Sequence, residues 1–89
     1  MYYVYLLIEH SGSRRYIGYT SDLKRRVAEH RREKSGYTAS GNWELVYYEA
    51  YRNKADAQLR EKRLKADGRA RRYLYDRAAQ SMLEPTEHK

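Results

Sequence analysis

The stretch RRYIGYTSDLKRRVAEH, residues 14–30, decides the fold of this chain. Its first six residues are rich in β-prone side chains and predict a strand. A helical pattern follows at once and predicts a helix over 20–32. Thr20 or Ser21 can cap this helix, and Asp22 would stand in its positively charged first turn. The stretch therefore predicts a strand that leads directly into a strongly basic helix.

The packing face of the predicted helix contains two polar residues. At 3.6 residues per turn, one face about 100° wide holds Leu23, Arg26, Val27 and His30. Burying a guanidinium without a partner is strongly unfavourable. Arg26 therefore either extends to the edge of the core, as long charged side chains often do, or points into a wet cleft that binds an anion. His30 is open between a structural histidine and a catalytic one.

The residues before this helix predict a β-hairpin. Residues 2–8, YYVYLLI, form a first strand, and 2–19 make a hairpin with a loop longer than two residues. Because side chains alternate along a strand, Tyr16 and Gly18 share a face of the second strand. Gly18 has no side chain, so another group can approach the sheet closely there. Tyr5, Tyr16 and the two polar helix residues are thus expected to meet where the hairpin joins the helix.

The rest of the chain predicts one more strand and two more helices. The strand covers 43–51, one helix covers 54–66, and a shorter helix covers 69–80. Asn53 is placed to cap the first of these helices and Gly68 to end it. The last helix is expected to pack through three residues, Tyr73, Leu74 and Ala78.

The order β-β-α-β-α-α predicts an α/β protein of the α+β type. We expect a small three-stranded antiparallel sheet flanked by about three helices. Residues 1–82 are expected to form a single domain, and residues 83–89 a disordered C-terminal tail.

Charge is the most informative bulk property. The 89 residues include 19 Lys and Arg against 12 Asp and Glu, which gives a formal net charge of +7. Such a charge attracts polyanions, with nucleic acid the first candidate and an anionic membrane surface the second. A basic protein without a specific partner is the plain alternative. Eleven tyrosines and no phenylalanine indicate either a stacking surface or tyrosines that replace phenylalanine in the core.

Two absences narrow the class of protein. The chain has no cysteine, which excludes a disulfide framework and thiolate sites and suits a reducing compartment. The apolar run at 2–8 is too short for a signal peptide or a membrane span. We therefore expect a cytoplasmic protein that does not bind membranes.

Several short motifs resemble the GIY-YIG endonuclease superfamily. They are YVY at 3–5 and YIG at 16–18, with an arginine ten residues and a histidine fourteen residues after the YIG tyrosine. YT at 37–38, WELVYYE at 43–49 and AQLREKRLK at 57–65 continue the resemblance, which covers about residues 2–75. It is closest to the small single-domain branch of YhbQ-like or UPF0213-type proteins. Tyr3 and Val4 stand where the first triplet of the family has glycine and isoleucine.

The resemblance implies a metal-dependent endonuclease and a role for each matching residue. Tyr16 would be the general base, and Arg26 would bind the phosphate. Tyr5 and His30 would hydrogen-bond around the base and the water. Glu61 would hold one divalent cation, Mg²⁺ or Mn²⁺. From the sequence alone, Glu61 is also suited to an ordinary surface pair with the lysine four residues later.

Further residues are predicted to contact the substrate, namely Gly18, Arg25, Arg60, Lys62 and Lys65. The basic run at 60–72 is either a solvated face or a track for phosphates, and nuclease function favours the track. The expected partner is nucleic acid, with DNA favoured and a role in repair or recombination. We expect a monomer, with a partner protein as a possible source of specificity. The alternative is a nucleic-acid-binding module that keeps the fold and cleaves weakly or not at all.

Overall fold

The computed structural model describes residues 1–9, 14–32 and 42–83. The elements in chain order are β1 (Tyr2–Glu9), β2 (Arg15–Thr20), α1 (Leu23–Arg32), β3 (Trp43–Tyr51), α2 (Lys54–Ala66), α3 (Gly68–Arg77) and α4 (Ala79–Leu83). The three strands form one antiparallel sheet, so the predicted α+β class is confirmed.

The first strand is the centre of the sheet, whose order is β2-β1-β3. It pairs antiparallel with both neighbours, and Tyr5 lies opposite Gly18 on one side and Tyr48 on the other. The predicted pairing of β1 with β2 is confirmed, and the loop at 10–13 lies outside the described residues. Within the described sheet, β2 is an edge strand.

Both faces of the sheet are covered, because successive side chains of a strand point to opposite faces. On one face the core contains Val4, Leu6, Ile17, Ala57, Leu64, Leu74 and Ala78. On the other face Tyr5, Leu7 and Trp43 are buried against Tyr16, Leu23, Val27 and Leu45. Helices α2 and α3 therefore pack on the first face and α1 on the second. The tyrosines of the predicted site lie on the α1 face.

The cap of α1 is Asp22, one residue later than predicted. The backbone N–H of Arg25 donates to Asp22 Oδ1 at 3.2 Å, and Asp22 itself donates from its backbone to Thr20 Oγ1 at 3.0 Å. Thr20 therefore holds the turn that leads into the helix, while Asp22 satisfies a free N–H of the first turn.

A second correction concerns the junction between α2 and α3. Gly68 was predicted to end α2, but it is the first residue of α3. Asp67 ends α2, with an extended backbone, and its carboxylate accepts from the N–H of Arg69 at 2.9 Å to cap α3. The predicted cap at Asn53 is confirmed, since its side chain accepts from Ala55 N at 2.8 Å.

The C-terminal prediction of one helix over 69–80 is also wrong. The backbone turns at Ala78 and separates α3 from α4. Leu74 and Ala78 are buried as predicted, but Tyr73 is 64% exposed. Leu83 is the last residue of α4 rather than the start of a tail, and residues 84–89 lie outside the described part of the chain. None of the described helices is long and apolar enough to cross a membrane.

Candidate active site

A buried hydrogen bond joins β1 to α1. The Tyr5 hydroxyl lies 2.8 Å from His30 Nε2, and the two residues are only 1% and 5% exposed. Leu23 and Val27 pack on the same side of α1, so the predicted helix face is confirmed for these three helix residues. A polar group buried this deeply needs a partner, and each of these side chains provides one for the other.

Tyr16 completes a cluster of three rings, which we call the aromatic triad (Tyr5, Tyr16 and His30). The ring centroid of Tyr16 lies 4.9 Å from that of His30 and 6.2 Å from that of Tyr5, and the centroids of Tyr5 and His30 are 5.7 Å apart. Tyr16 is partly exposed, whereas the other two rings are buried. Solvent and ligands therefore reach the triad at Tyr16.

Gly18 makes room for the triad. A Cβ atom at this position would lie 2.3 Å from the Tyr5 hydroxyl oxygen, 2.4 Å from Tyr5 Cζ and 3.0 Å from Tyr16 Cε2. The sequence predicted open space above Gly18 for an approaching ligand, but the Tyr5 ring occupies that space. The glycine is required by a close side-chain contact inside the protein.

Arg26 lies at the edge of the core beside the triad. Its side chain is 40% exposed, and Nη1 donates to Glu29 Oε1 at 3.0 Å. The ion pair with Glu29 and the nearby Tyr5 hydroxyl both raise the pKa of Arg26. The side chain reaches the surface, as the first interpretation from the sequence expects, and the anion-binding cleft at Arg26 stays a prediction. The sequence analysis did not name Glu29, although the i, i+3 spacing on a helix was a signal that could have found this pair.

The environment of Tyr5 keeps its proton in place. Burial raises the pKa of Tyr5 to about 12, while a hydrogen bond from Arg26 acts in the opposite direction. The hydroxyl oxygen lies 2.8 Å from Nε2 of His30, and the tautomer of the imidazole decides which of the two groups donates. Tyr5 is therefore a neutral hydrogen-bonding group at physiological pH and is poorly suited to act as a base.

Two residues of α2 reach the triad from the other side of the sheet. Lys65 Nζ lies 5.6 Å from the centroid of the Tyr16 ring and 3.0 Å from Glu61 Oε2. The negative charge of Glu61 also contributes to the raised pKa of Tyr5. The predicted ion pair between Glu61 and Lys65 is present. Its lysine also lies against the ring of Tyr16.

Glu61 is the residue that the sequence predicts to hold a metal ion. The described ranges contain no group of three or more His, Cys, Asp or Glu side chains able to hold a metal ion. Mg²⁺ is commonly bound by one or two carboxylates together with waters and substrate phosphates. A single carboxylate suits this pattern, and Oε2 of Glu61 lies 3.0 Å from Nζ of Lys65.

The structure separates the predicted substrate contacts. Lys65 lies at the triad, whereas Arg25 is on the outer surface of α1, 3.6 Å from Glu29. Lys62 is exposed on α2. Arg60 is placed elsewhere, since its Nε and Nη2 donate to Glu49 at 2.8 and 2.9 Å. The geometry therefore gives Arg60 an ion pair with Glu49, and its contact with the substrate stays a prediction.

One cavity of the described structure, larger than the cavity beside Tyr16, lies away from the triad. A groove of about 680 Å³ runs between α1 and β3, past Tyr3, Val27 and Tyr48. None of the aromatic triad lines it, and neither does Glu61. The triad is the candidate site because residues that the sequence predicts to be catalytic meet there.

Comparison with known proteins decides the family. Residues 1–74 match the GIY-YIG catalytic domain. The chain belongs to the GIY-YIG family. A UPF0213 protein of Halobacterium salinarum is 36% identical over 74 residues, which cover 81% of this chain and 95% of that protein, so the chain is of the small UPF0213 type. No solved structure gives a significant match.

Membership of the GIY-YIG family gives the site its chemical context. A GIY-YIG catalytic domain implies nuclease activity on nucleic acid, and nucleases of this family generally use divalent metal ions. The matched segment contains the aromatic triad, Arg26 and Glu61.

Proposed function

We propose that this GIY-YIG protein is a metal-dependent endonuclease that hydrolyses phosphodiester bonds, with DNA as the favoured substrate and Tyr16 as general base. The observation that carries the proposal is the convergence at one sheet edge of the aromatic triad, Arg26 and the Glu61–Lys65 pair. The reaction needs a general base, a cation that binds the phosphate and a carboxylate that binds a metal ion. Tyr16, Arg26 and Glu61 are the candidates for these three roles.

Tyr16 is the member of the triad that can meet a water molecule. Its phenolate oxygen accepts a proton from the water as the water oxygen bonds to phosphorus, and the sugar oxygen leaves and takes up a proton from solvent. A tyrosine needs nearby positive charge for this role near neutral pH. The Lys65 ammonium, 5.6 Å from the ring, supplies such a charge. The rings of His30 and Tyr5 pack on the buried side of the Tyr16 ring, with their centroids 4.9 and 6.2 Å from its centroid.

Arg26 and Glu61 provide for the charge of the phosphate. The planar guanidinium of Arg26 matches two non-bridging oxygens, where negative charge grows in the transition state. Its ion pair with Glu29 holds the side chain at the triad. Glu61 would hold Mg²⁺ or Mn²⁺, which when bound adds positive charge at the phosphate and leaving group.

The first test is cleavage of single-stranded DNA, duplex DNA, branched DNA and RNA, with Mg²⁺, Mn²⁺ or EDTA. We expect cleavage of at least one DNA substrate with a metal and none with EDTA. The non-catalytic alternative predicts binding without cleavage under every condition. That outcome would overturn the proposed activity.

The Arg26→Ala variant tests the phosphate contact. Loss of one transition-state anion contact typically costs about 10²–10³ in rate, so we expect a loss of that size in the single-turnover cleavage rate. Arg31→Ala, an exposed arginine on the same helix, is the matched control and should cut normally. If the two variants cut DNA at equal rates, Arg26 forms the ion pair with Glu29 but does not bind the phosphate.

The Glu61→Gln variant tests the metal ligand. The amide keeps the shape of the side chain but lacks the charge that a hard cation requires. We expect normal folding, retained DNA binding and no cleavage in Mg²⁺ or Mn²⁺. A plain surface pair with Lys65 predicts at most about 0.5 kcal/mol of lost stability and no change in cleavage. Asp56→Asn, on the same helix, controls for the loss of a carboxylate.

A further inference from the structure

A second cavity opens beside the aromatic triad, at the edge of β2. It has a volume of about 380 Å³ and lies between β2, the end of α2 and α3. The residues that line it are Arg15, Tyr16, Ile17, Lys65, Arg71 and Tyr75. Three of these side chains are cations, and none of the described lining residues is acidic. We call this cavity the edge pocket.

Arg71 is a fixed cation on one wall of the edge pocket. Its Nη1 donates to the backbone carbonyls of Leu64 and Lys65 at 2.9 and 2.8 Å. These carbonyls belong to the last turn of α2, whose partial negative charge would repel an anion. Arg71 satisfies them and, because carbonyls are neutral, keeps its full positive charge. An anion in the pocket therefore meets a guanidinium in place of a row of free carbonyls.

Arg15 is held at another wall by an aromatic ring. Its guanidinium carbon lies 4.7 Å from the centroid of the Tyr75 ring, within the range of a cation–π contact. Stacking uses the flat face of the guanidinium, whereas phosphate oxygens bind its N–H edges. The stack therefore orients Arg15 without using the atoms that would bind a phosphate.

The edge pocket shares a wall with the catalytic candidates. Tyr16 lines the pocket and belongs to the aromatic triad, and Lys65 lines the pocket while it contacts both the Tyr16 ring and Glu61. A strand with one phosphate at Arg26 and Tyr16 would pass directly along Lys65. We infer that the edge pocket binds the backbone phosphate next to the one that is cut. The position relative to the cut rests on the proposed nuclease function, while the binding of a backbone phosphate does not.

Binding of a short oligothymidylate in EDTA tests the pocket without cleavage. Arg15→Gln should weaken binding about three- to tenfold at low salt, as the loss of one hydrogen-bonded contact to a phosphate does. The slope of log K against log salt should fall by about 0.7, the value for one phosphate of a single strand. Arg52→Gln removes the same charge at an exposed position after β3, and it should leave both quantities close to those of the wild type.

NMR locates the bound anion. With the oligothymidylate, amide shifts should gather at Arg15, Tyr16 and Lys65. A parallel titration with inorganic phosphate distinguishes a free anion from a backbone phosphate. The inference is overturned if Arg15→Gln binds like Arg52→Gln, if the oligothymidylate shifts map elsewhere, or if only inorganic phosphate shifts these residues.

Kinetics separates a failure of this inference from a failure of the nuclease proposal. If DNA is cut, Arg15→Gln should raise KM by a similar three- to tenfold and leave kcat nearly unchanged, because the contact forms before the reaction. Normal cleavage with no effect of Arg15→Gln on KM or binding would reject the pocket alone. Oligothymidylate binding that depends on Arg15, with no cleavage of any substrate, would reject the nuclease function alone.

Discussion

The buried side chain of Tyr5 connects the sheet to α1 within the candidate site. The ring fills the space above Gly18, and the hydroxyl reaches His30 on a different element. The sequence correctly predicted that Tyr5, Tyr16 and Gly18 lie on one face of the sheet, because side chains alternate between the two faces along each strand. It did not show that Tyr5 itself fills the gap, since periodicity says nothing about which side chain occupies a space.

Replacing Gly18 with alanine should disturb the triad. The added Cβ would meet the Tyr5 hydroxyl oxygen at 2.3 Å, so the Tyr5 ring or the backbone must move. Overpacking of this kind typically costs about 1–3 kcal/mol, and displacement of Tyr5 should also reduce cleavage. Gly68→Ala is the control, because its nearest contact, at 3.5 Å, is ordinary. Equal unfolding free energies for the two variants in a denaturant titration would contradict the close contact.

The raised pKa of Tyr5 gives a prediction at high pH. Burial raises this pKa to about 12 from a usual value of 10, so the contribution to stability is complete below pH 10 and is lost as the pH rises towards 12. Tyr51, whose pKa burial also raises to about 12, should ionise in the same range. In an absorbance titration of tyrosinate, Tyr5→Phe should remove part of the change above pH 11. If Tyr5→Phe instead removes part of the absorbance change near pH 10, burial does not raise the pKa of Tyr5.

At the scale of elements, a carboxylate joins β3 to α2. Glu49 accepts hydrogen bonds from Tyr47 at 2.8 Å, from Tyr51 at 2.6 Å and from two nitrogens of Arg60. Burial acts to raise the pKa of Glu49, but these hydrogen bonds outweigh it and hold the pKa below its usual value. The network fixes the helix that carries Glu61 against the sheet.

Glu49→Gln should therefore loosen α2. Loss of hydrogen bonds to a charged group costs about 1–3 kcal/mol, and we expect a lower unfolding free energy of that size at pH 7. Because the folded pKa is lowered, the carboxylate stabilises the protein above its unfolded pKa of about 4.5, and this contribution is lost as the pH falls through the folded value. Unfolding measured from pH 7 to 3 should show a weaker acid dependence in the variant. Asp76→Asn, exposed on α3, should behave like the wild type.

Helix ends were predicted less well than helix positions. The strand over 43–51, a run of β-prone residues, and the helix over 54–66, which starts after the cap at Asn53, are confirmed. The role of Gly68 was misjudged because glycine after a helix is a common stop signal, whereas here Asp67 ends one helix and caps the next. The break at Ala78 has no glycine or proline to mark it.

At the scale of the whole molecule, the net charge of +7 should govern nucleic-acid binding. Much of the positive charge near the site lies in the edge pocket and on α2. Binding that releases counterions weakens linearly in log K with log salt, so affinity for DNA should fall steeply between 50 and about 200 mM salt. Fluorescence anisotropy at four or more salt concentrations checks this. An affinity that is flat over that range would contradict electrostatic binding.

The Tyr16 hydroxyl is the most direct test of the catalytic account. We would measure single-turnover cleavage of DNA in Mg²⁺ and in Mn²⁺ by the wild type, Tyr16→Phe and Tyr73→Phe. Tyr73 is exposed on α3 and controls for the loss of a tyrosine hydroxyl. The account predicts that Tyr16→Phe binds DNA normally and loses about 10²–10⁴ in rate, the usual contribution of a general base, while Tyr73→Phe cuts at the wild-type rate. Cleavage by Tyr16→Phe at the wild-type rate would contradict the assignment of this tyrosine as the base.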